Sequence, residues 1–203
     1  MTLMRKFLHV GCGPKQKHQT TEGFSTPSWE EIRLDIDASV FPDVVGTMTD
    51  MSSVPTSSVQ AIFSSHNIEH LYPHEVPKAL SEFLRVLTVD GFAVITCPDL
   101  QSVCELVAKD RLTETAYISP SGPIAPIDIL YGHRPPMSRG NLYMAHRCGF
   151  TQKVLRATLN AAGFQSVATM ARPNAFDLWA LATKSLLGDD VLRALAFQHF
   201  PKN

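Results

Sequence analysis

Phe7-Leu8-His9-Val10-Gly11-Cys12-Gly13-Pro14 is an apolar run that ends in Gly-x-Gly, and Arg33-Leu34-Asp35-Ile36-Asp37 is a second apolar run that ends in an acid. A strand that turns sharply on glycines, followed by a strand that closes on a carboxylate, is the layout of a parallel-sheet nucleotide site. Glycine lets the backbone approach a ligand closely, and an acid at the next strand's end accepts ribose hydroxyls. Gly-x-Gly alone suits any tight turn after a strand. The acid downstream is what points to a nucleoside.

Outward from this core, Ala61-Ile62-Phe63-Ser64-Ser65-His66 reads as a third buried strand, followed by Asn67-Ile68-Glu69-His70-Leu71. Val76 to Leu87 reads as an amphipathic helix, with Leu80, Phe83, Leu84 and Leu87 at helical spacing. Asp90-Gly91 breaks it, and Phe92 to Pro98 is a fourth strand.

The run from Ser65 to Asp99 resembles the class I S-adenosylmethionine-dependent methyltransferases. It has Glu69-His70-Leu71 after a strand, a helix ending in Arg85-Val86-Leu87, a glycine turn and a strand ending near Pro98. The resemblance spans residues 7 to 100 and resumes at His146 to Thr151 and Leu159 to Val167. It implies a Rossmann-like α/β fold, with a mainly parallel seven-stranded sheet flanked by helices and an antiparallel pair at its edge. It implies S-adenosylmethionine as methyl donor and S-adenosylhomocysteine as product.

The resemblance also implies a site. Gly11, Cys12 and Gly13 would border the amino acid and ribose, with a side chain at either glycine pointing into the ligand. Asp35, beside Ile36, takes the ribose position; Asp37 is its rival, on the same face of an extended chain, and a turn-capping role is the structural account. Relatives carry Gly-Asp-Ala near the adenine, where this chain has Gly46-Thr47-Met48-Thr49-Asp50. Either Asp50 reaches the adenine amine or the backbone at Met48 reads it. His66 lies where the strand tip faces the methyl group, and an imidazole there can take a proton near neutral pH. His66 is thus a cofactor neighbour and the candidate base, and Asn67 a candidate substrate contact.

Two regions depart from the family. Pro14 to Ser28 has prolines and a polar run but no apolar stripe, so a long loop replaces the usual helix. Ala116 to His146 is rich in proline, glycine, tyrosine and histidine, which excludes long helices. It reads as a substrate lid within a single domain covering residues 1–203, with Tyr131, His133, Tyr143 and His146 facing the pocket. After it, Thr151 to Gly163 is a capped helix, Phe164 to Thr169 and Phe176 to Thr183 are the last strands, and Asp190 to Phe200 is a terminal helix. The apolar residues of that helix suit docking on the domain or on a second subunit, which leaves a homodimer open.

The 203 residues suffice for one domain with a substantial core. A formal net charge of −1 with no Lys/Arg block disfavours nucleic acid as a partner. No apolar run suggests a membrane span, and the N-terminus enters the first strand directly, unlike a signal peptide. Cys12, Cys97, Cys104 and Cys148 form no C-x-x-C pair, which suits a reducing cytoplasm. His66, His70 and His74 share a spacing of four, but Pro73 interrupts it, so no metal site is expected.

The reading is S-adenosylmethionine-dependent methyl transfer to a small molecule. The alternative is a binding or scaffold protein that kept the fold and lost the chemistry. A nicotinamide oxidoreductase is disfavoured, because Gln16 replaces the third glycine of its fingerprint.

Overall fold

The computed structural model describes residues 4–202. In chain order it contains β1 (Arg5–Val10), β2 (Trp29–Asp35), the short β3 (Val44–Val45), β4 (Val59–Ser65), α1 (Val76–Val86), β5 (Leu87–Pro98) and α2 (Leu100–Val107). Then come β6 (Tyr117–Ser119), β7 (Gly122–Ile124), α3 (Pro126–Tyr131), α4 (Arg134–Ser138), α5 (Gln152–Ala162), β8 (Ser166–Arg172), β9 (Asp177–Thr183) and α6 (Asp189–His199). Seven strands form one sheet in the order β3-β2-β1-β4-β5-β9-β8. β1 to β5 run parallel, and β9 and β8 are antiparallel to their neighbours. Strand order reverses between β1 and β4, which opens a crevice at their carboxyl ends.

Alternation along each strand sorts the core into two faces. Leu8, Val10, Ile62, Ala93, Ile95 and Leu178 point to one face, where Leu80 and Phe83 of α1 and Leu155 and Leu159 of α5 cover them. Phe7, Phe63, Phe92, Val94 and Leu181 point to the other. No α-helix from the glycine loop covers that second face. Residues 14–28 hold only a 3-10 turn, Lys17–Gln19, as the missing apolar stripe predicts. Phe24 from this loop is fully buried against Phe7, ring centroids 4.3 Å apart, and α6 adds Ala196 and His199. Gly23 is required there, since a Cβ would lie 2.6 Å from the His199 ring. On α6, Leu192 and Leu195 pack on this face, whereas Val191 and Phe197 stay exposed.

The insert is built of short pieces, as its prolines demand. The β6–β7 hairpin and α3 pack Ile124 and Ile129 on Val103 of α2. Buried Asp128 accepts from Ala125 N and pairs with Arg134, which locks α3 to the start of α4. Gly132, at φ +103, lets the chain cross the returning backbone; a Cβ would lie 2.0 Å from Met144 O. The chain then enters α5 through Thr151, whose hydroxyl accepts from Val154 N, and leaves it at Gly163 in the left-handed region.

Candidate active site

The crevice at the carboxyl ends of β1, β2 and β4 deepens into a cavity of about 480 Å³, within the range of small-molecule and cofactor sites, about 300–1,000 Å³. Its walls bring together Gly11, Gly13, Asp35, Ile36, Met48, His66, Asn67 and Tyr143. A second, apolar hollow of about 500 Å³ lies between α1 and α5, with Cys148 its one ionisable group.

The glycine turn is tied down from three sides. Asp35 is nearly buried; its Oδ2 accepts from Gly13 N at 2.7 Å and its Oδ1 from Asp37 N at 2.9 Å. The Arg33 guanidinium beneath donates to the carbonyls of Gly13, Lys15, Val40 and Phe41. Asn67 donates from Nδ2 to Val10 O at 2.9 Å and to Ser65 O at 3.1 Å, which joins the tips of β1 and β4. Asn67 thus reaches the wall with its amide engaged by backbone.

The two glycines differ. At Gly11, φ +63, a Cβ would collide with Asn67 Oδ1 at 2.0 Å, rather than project into a ligand. At Gly13, φ +51, it would meet nothing within 4 Å. Cys12 between them is buried and off the wall, its thiol pushed up to about 11 mainly by burial. Asp37 also borders the cavity, but its carboxylate caps the following turn by accepting from Ser39 N at 2.9 Å, and the Ser39 side chain and backbone together hold its pKa below the usual value. Thr47, Met48 and Thr49 line the adenine end expected from the sequence. Asp50 turns away from it; its carboxylate accepts from Ser52 N and faces a shallow hollow with Lys78, Glu82 and Arg85.

Residues 8–95 match the family described as Methyltransferase domain. The fold is that of the class I S-adenosylmethionine-dependent methyltransferases. Two solved structures share its fold at low identity. The 1,6-didemethyltoxoflavin-N1-methyltransferase of Burkholderia thailandensis, with 1,6-didemethyltoxoflavin and S-adenosylhomocysteine bound, is 15% identical; the match covers 89% of this chain and 71% of that one, with a TM-score of 0.56. A SAM-dependent methyltransferase from Archaeoglobus fulgidus is 18% identical over 89% of this chain and 86% of that one, with a TM-score of 0.56. No curated protein matches the chain.

The geometry of the cavity suits a nucleoside-bearing cofactor. Gly13 leaves open space on the wall, Asp35 keeps carboxylate lone pairs beyond the two it engages, and Met48 offers a soft surface. At the β4 tip, His66 has φ +55, an unusual backbone for a residue with a Cβ. Its side chain is 47% exposed, with Nδ1 3.3 Å from Oε1 of Glu69. Enclosure by the cavity wall opposes the imidazolium, but the Glu69 carboxylate favours it more, and the His66 pKa is raised.

The insert contributes only its C-terminal end. Asn141, Tyr143 and Met144 line the cavity beside Arg147. Tyr131 is exposed and off the wall, and His133 precedes α4 away from the cavity, because α3 packs on α2 instead. His146 sits behind the wall: Nδ1 donates to Ile129 O at 2.7 Å, and its ring meets that of His70, with centroids 4.9 Å apart. His70 borders the cavity, a position the sequence offered only as part of a structural motif. Arg147 directly follows the insert. Its guanidinium donates to His70 O at 3.1 Å and lies over the Tyr72 ring.

Proposed function

We propose that this domain holds S-adenosylmethionine along Gly11, Gly13, Asp35, Ile36 and Met48 and methylates a small molecule bound between His66 and Tyr143. The observation that supports this most is one continuous cavity joining the glycine turn, the Asp35 end of β2, the β4 tip and the end of the insert. The cofactor supplies an electrophilic methyl group on a sulfonium. The protein then has to align an acceptor with that methyl and exclude water. His66, with its pKa raised beside Glu69, accepts the acceptor's proton where the acceptor carries one. Tyr143 and Met144 supply flat and adaptable contact at the mouth. A small acceptor suits the enclosed volume and a chain of net charge −1 without a Lys/Arg block. Four free thiols suit a reducing, cytoplasmic setting. Among the described residues, no helix is long and apolar enough to cross a membrane.

Calorimetry with S-adenosylhomocysteine tests the reading. Asp35→Ala removes a charged acceptor, about 1.5–3 kcal/mol per hydrogen bond, and so weakens binding roughly ten- to a hundredfold. Asp37→Ala changes it a fewfold. A wild-type chain that binds no S-adenosylhomocysteine would establish the scaffold alternative instead. A large loss confined to Asp37→Ala would move the ribose to Asp37.

A further inference from the structure

Behind the cavity wall lies a cluster of which methyl transfer as described uses only the charge of Glu69 beside His66. Glu69 is 1% exposed, and neither carboxylate oxygen has a hydrogen-bond partner. Its contact with His66 is charge proximity at 3.3 Å to one oxygen, without hydrogen-bond geometry, and the second oxygen is left bare. Burying a carboxylate this way is unfavourable unless a cation compensates it. His70 and His146 stand beside it, and ligand atoms from the three side chains lie within 4.8 Å of one another.

The two imidazoles are oriented in the same manner. His70 Nδ1 contacts Ala145 O at 3.1 Å, and His146 Nδ1 contacts Ile129 O at 2.7 Å. A carbonyl only accepts, so each Nδ1 carries the proton and each Nε2 keeps its lone pair. That arrangement is how proteins fix the tautomer of metal-binding histidines.

From these contacts we infer that Glu69, His70 and His146 form a site for a divalent transition metal ion. Two imidazoles and one carboxylate suit zinc and its neighbours in the first row, rather than magnesium or calcium, which take oxygen ligands. Three protein ligands leave a coordination position free for an oxygen or nitrogen donor, and one of the three, His70, borders the cavity. Engagement of the methyl acceptor by the cation rests on the methyl-transfer reading; the cation site itself does not. The spacing of four among His66, His70 and His74 did not lead to this set, because its third member, His146, arrives from the far end of the insert.

The test uses the full chain, stripped of metal and carrying no polyhistidine tag, with Co²⁺ as probe. Visible absorption and calorimetry are expected to show one equivalent bound, with d–d bands that one equivalent of Zn²⁺ abolishes and Mg²⁺ does not. His70→Ala and His146→Ala each remove a ligand and weaken Co²⁺ by about a hundredfold or more, since loss of outer-shell partners alone costs about 10–100-fold. Glu69→Gln, which preserves shape, does the same if either histidine variant folds poorly. His18→Ala, on the exposed loop, leaves binding unchanged. S-adenosylhomocysteine binding, measured separately on each variant, reports whether the domain is folded and keeps failure of the metal site distinct from failure of the cofactor reading. Absence of d–d bands in the wild-type chain, or a folded His146→Ala that binds Co²⁺ as tightly, overturns the site and leaves Glu69 as the counter-charge of His66.

Discussion

The two faces of the sheet are sealed by different means. One is aliphatic and lies under two regular helices, α1 and α5, each of which buries a stripe at helical spacing. The other is aromatic and lies under a loop and the terminal helix α6, where Phe24, Trp29 and His199 fill the place a glycine-loop helix would take. The helical face is assembled from repetition, in which many similar methyl groups share the burial. The aromatic face depends on a few large rings, each touching several others, so single positions there carry more. The contrast teaches that a parallel sheet can lose a flanking helix if a small number of rings and one returning segment keep water off it.

The sharpest way to break this comparison is Phe24→Ala. Phe24 is fully buried among Phe7, Phe92 and His199. Its truncation is expected to fall at the upper end of about 3–5 kcal/mol and to exceed that of Phe83→Ala under α1, as read by urea unfolding of both variants. A cost below about 1 kcal/mol would mean that the loop merely decorates the sheet.

A second prediction uses acid. His199 is held neutral, its pKa lowered to about 4 chiefly by burial. As pH falls below about 6.5 the unfolded chain takes up this proton first, so the stability due to the neutral ring is complete above that pH and is lost toward pH 4. The loss amounts to about 3 kcal/mol at about 1.4 kcal/mol per pH unit. His199→Gln should flatten that part of the decline, measured as the difference between the two proteins at pH 7, 5.5 and 4.5. Parallel declines would show that the aromatic face tolerates charge.

The smallest effect belongs to the helical face. Thr151→Ala removes the cap of α5 and should cost about 1 kcal/mol, while Thr151→Asp should be nearly neutral. Thermal unfolding separates the two. A much larger loss would mean that α5 is anchored at one point, as the aromatic face is.

The same contrast explains what was legible in the sequence. Alternation in Phe7–Val10 and Ala61–Ser65, the stripe of α1 and the Thr151 and Gly163 caps are local signals, and the helical face follows from them. The pairing of Thr21 and Phe24 with His199 leaves no periodic trace. In the site, the glycine turn and Asp35 were readable because strand ends fix them. Asp50 reads like a ligand, but its carboxylate is claimed by Ser52 N nearby. Tyr131 and His133 have the composition of a lid, yet α3 finds its apolar partner in α2 and carries them aside. Glu69 and His70 were visible as a motif. Their meeting with His146 depends on the backbone crossing at Gly132, which no local pattern announces.

The hydrogen bond between Thr21 and His199 spans 178 positions of sequence. Strands β1, β2 and β4 pair over much shorter separations, and the glycine turn is shaped as they join. The order of assembly follows from that inequality. Contacts between distant residues form after the intervening loops have closed, and they slow the final step. Until α6 returns, Phe24 of the loop is the one ring laid over Phe7, Phe63 and Phe92 from outside the sheet, and the part of the face that Ala196 and His199 seal stays open. In that interval the aromatic face is open to association with another chain.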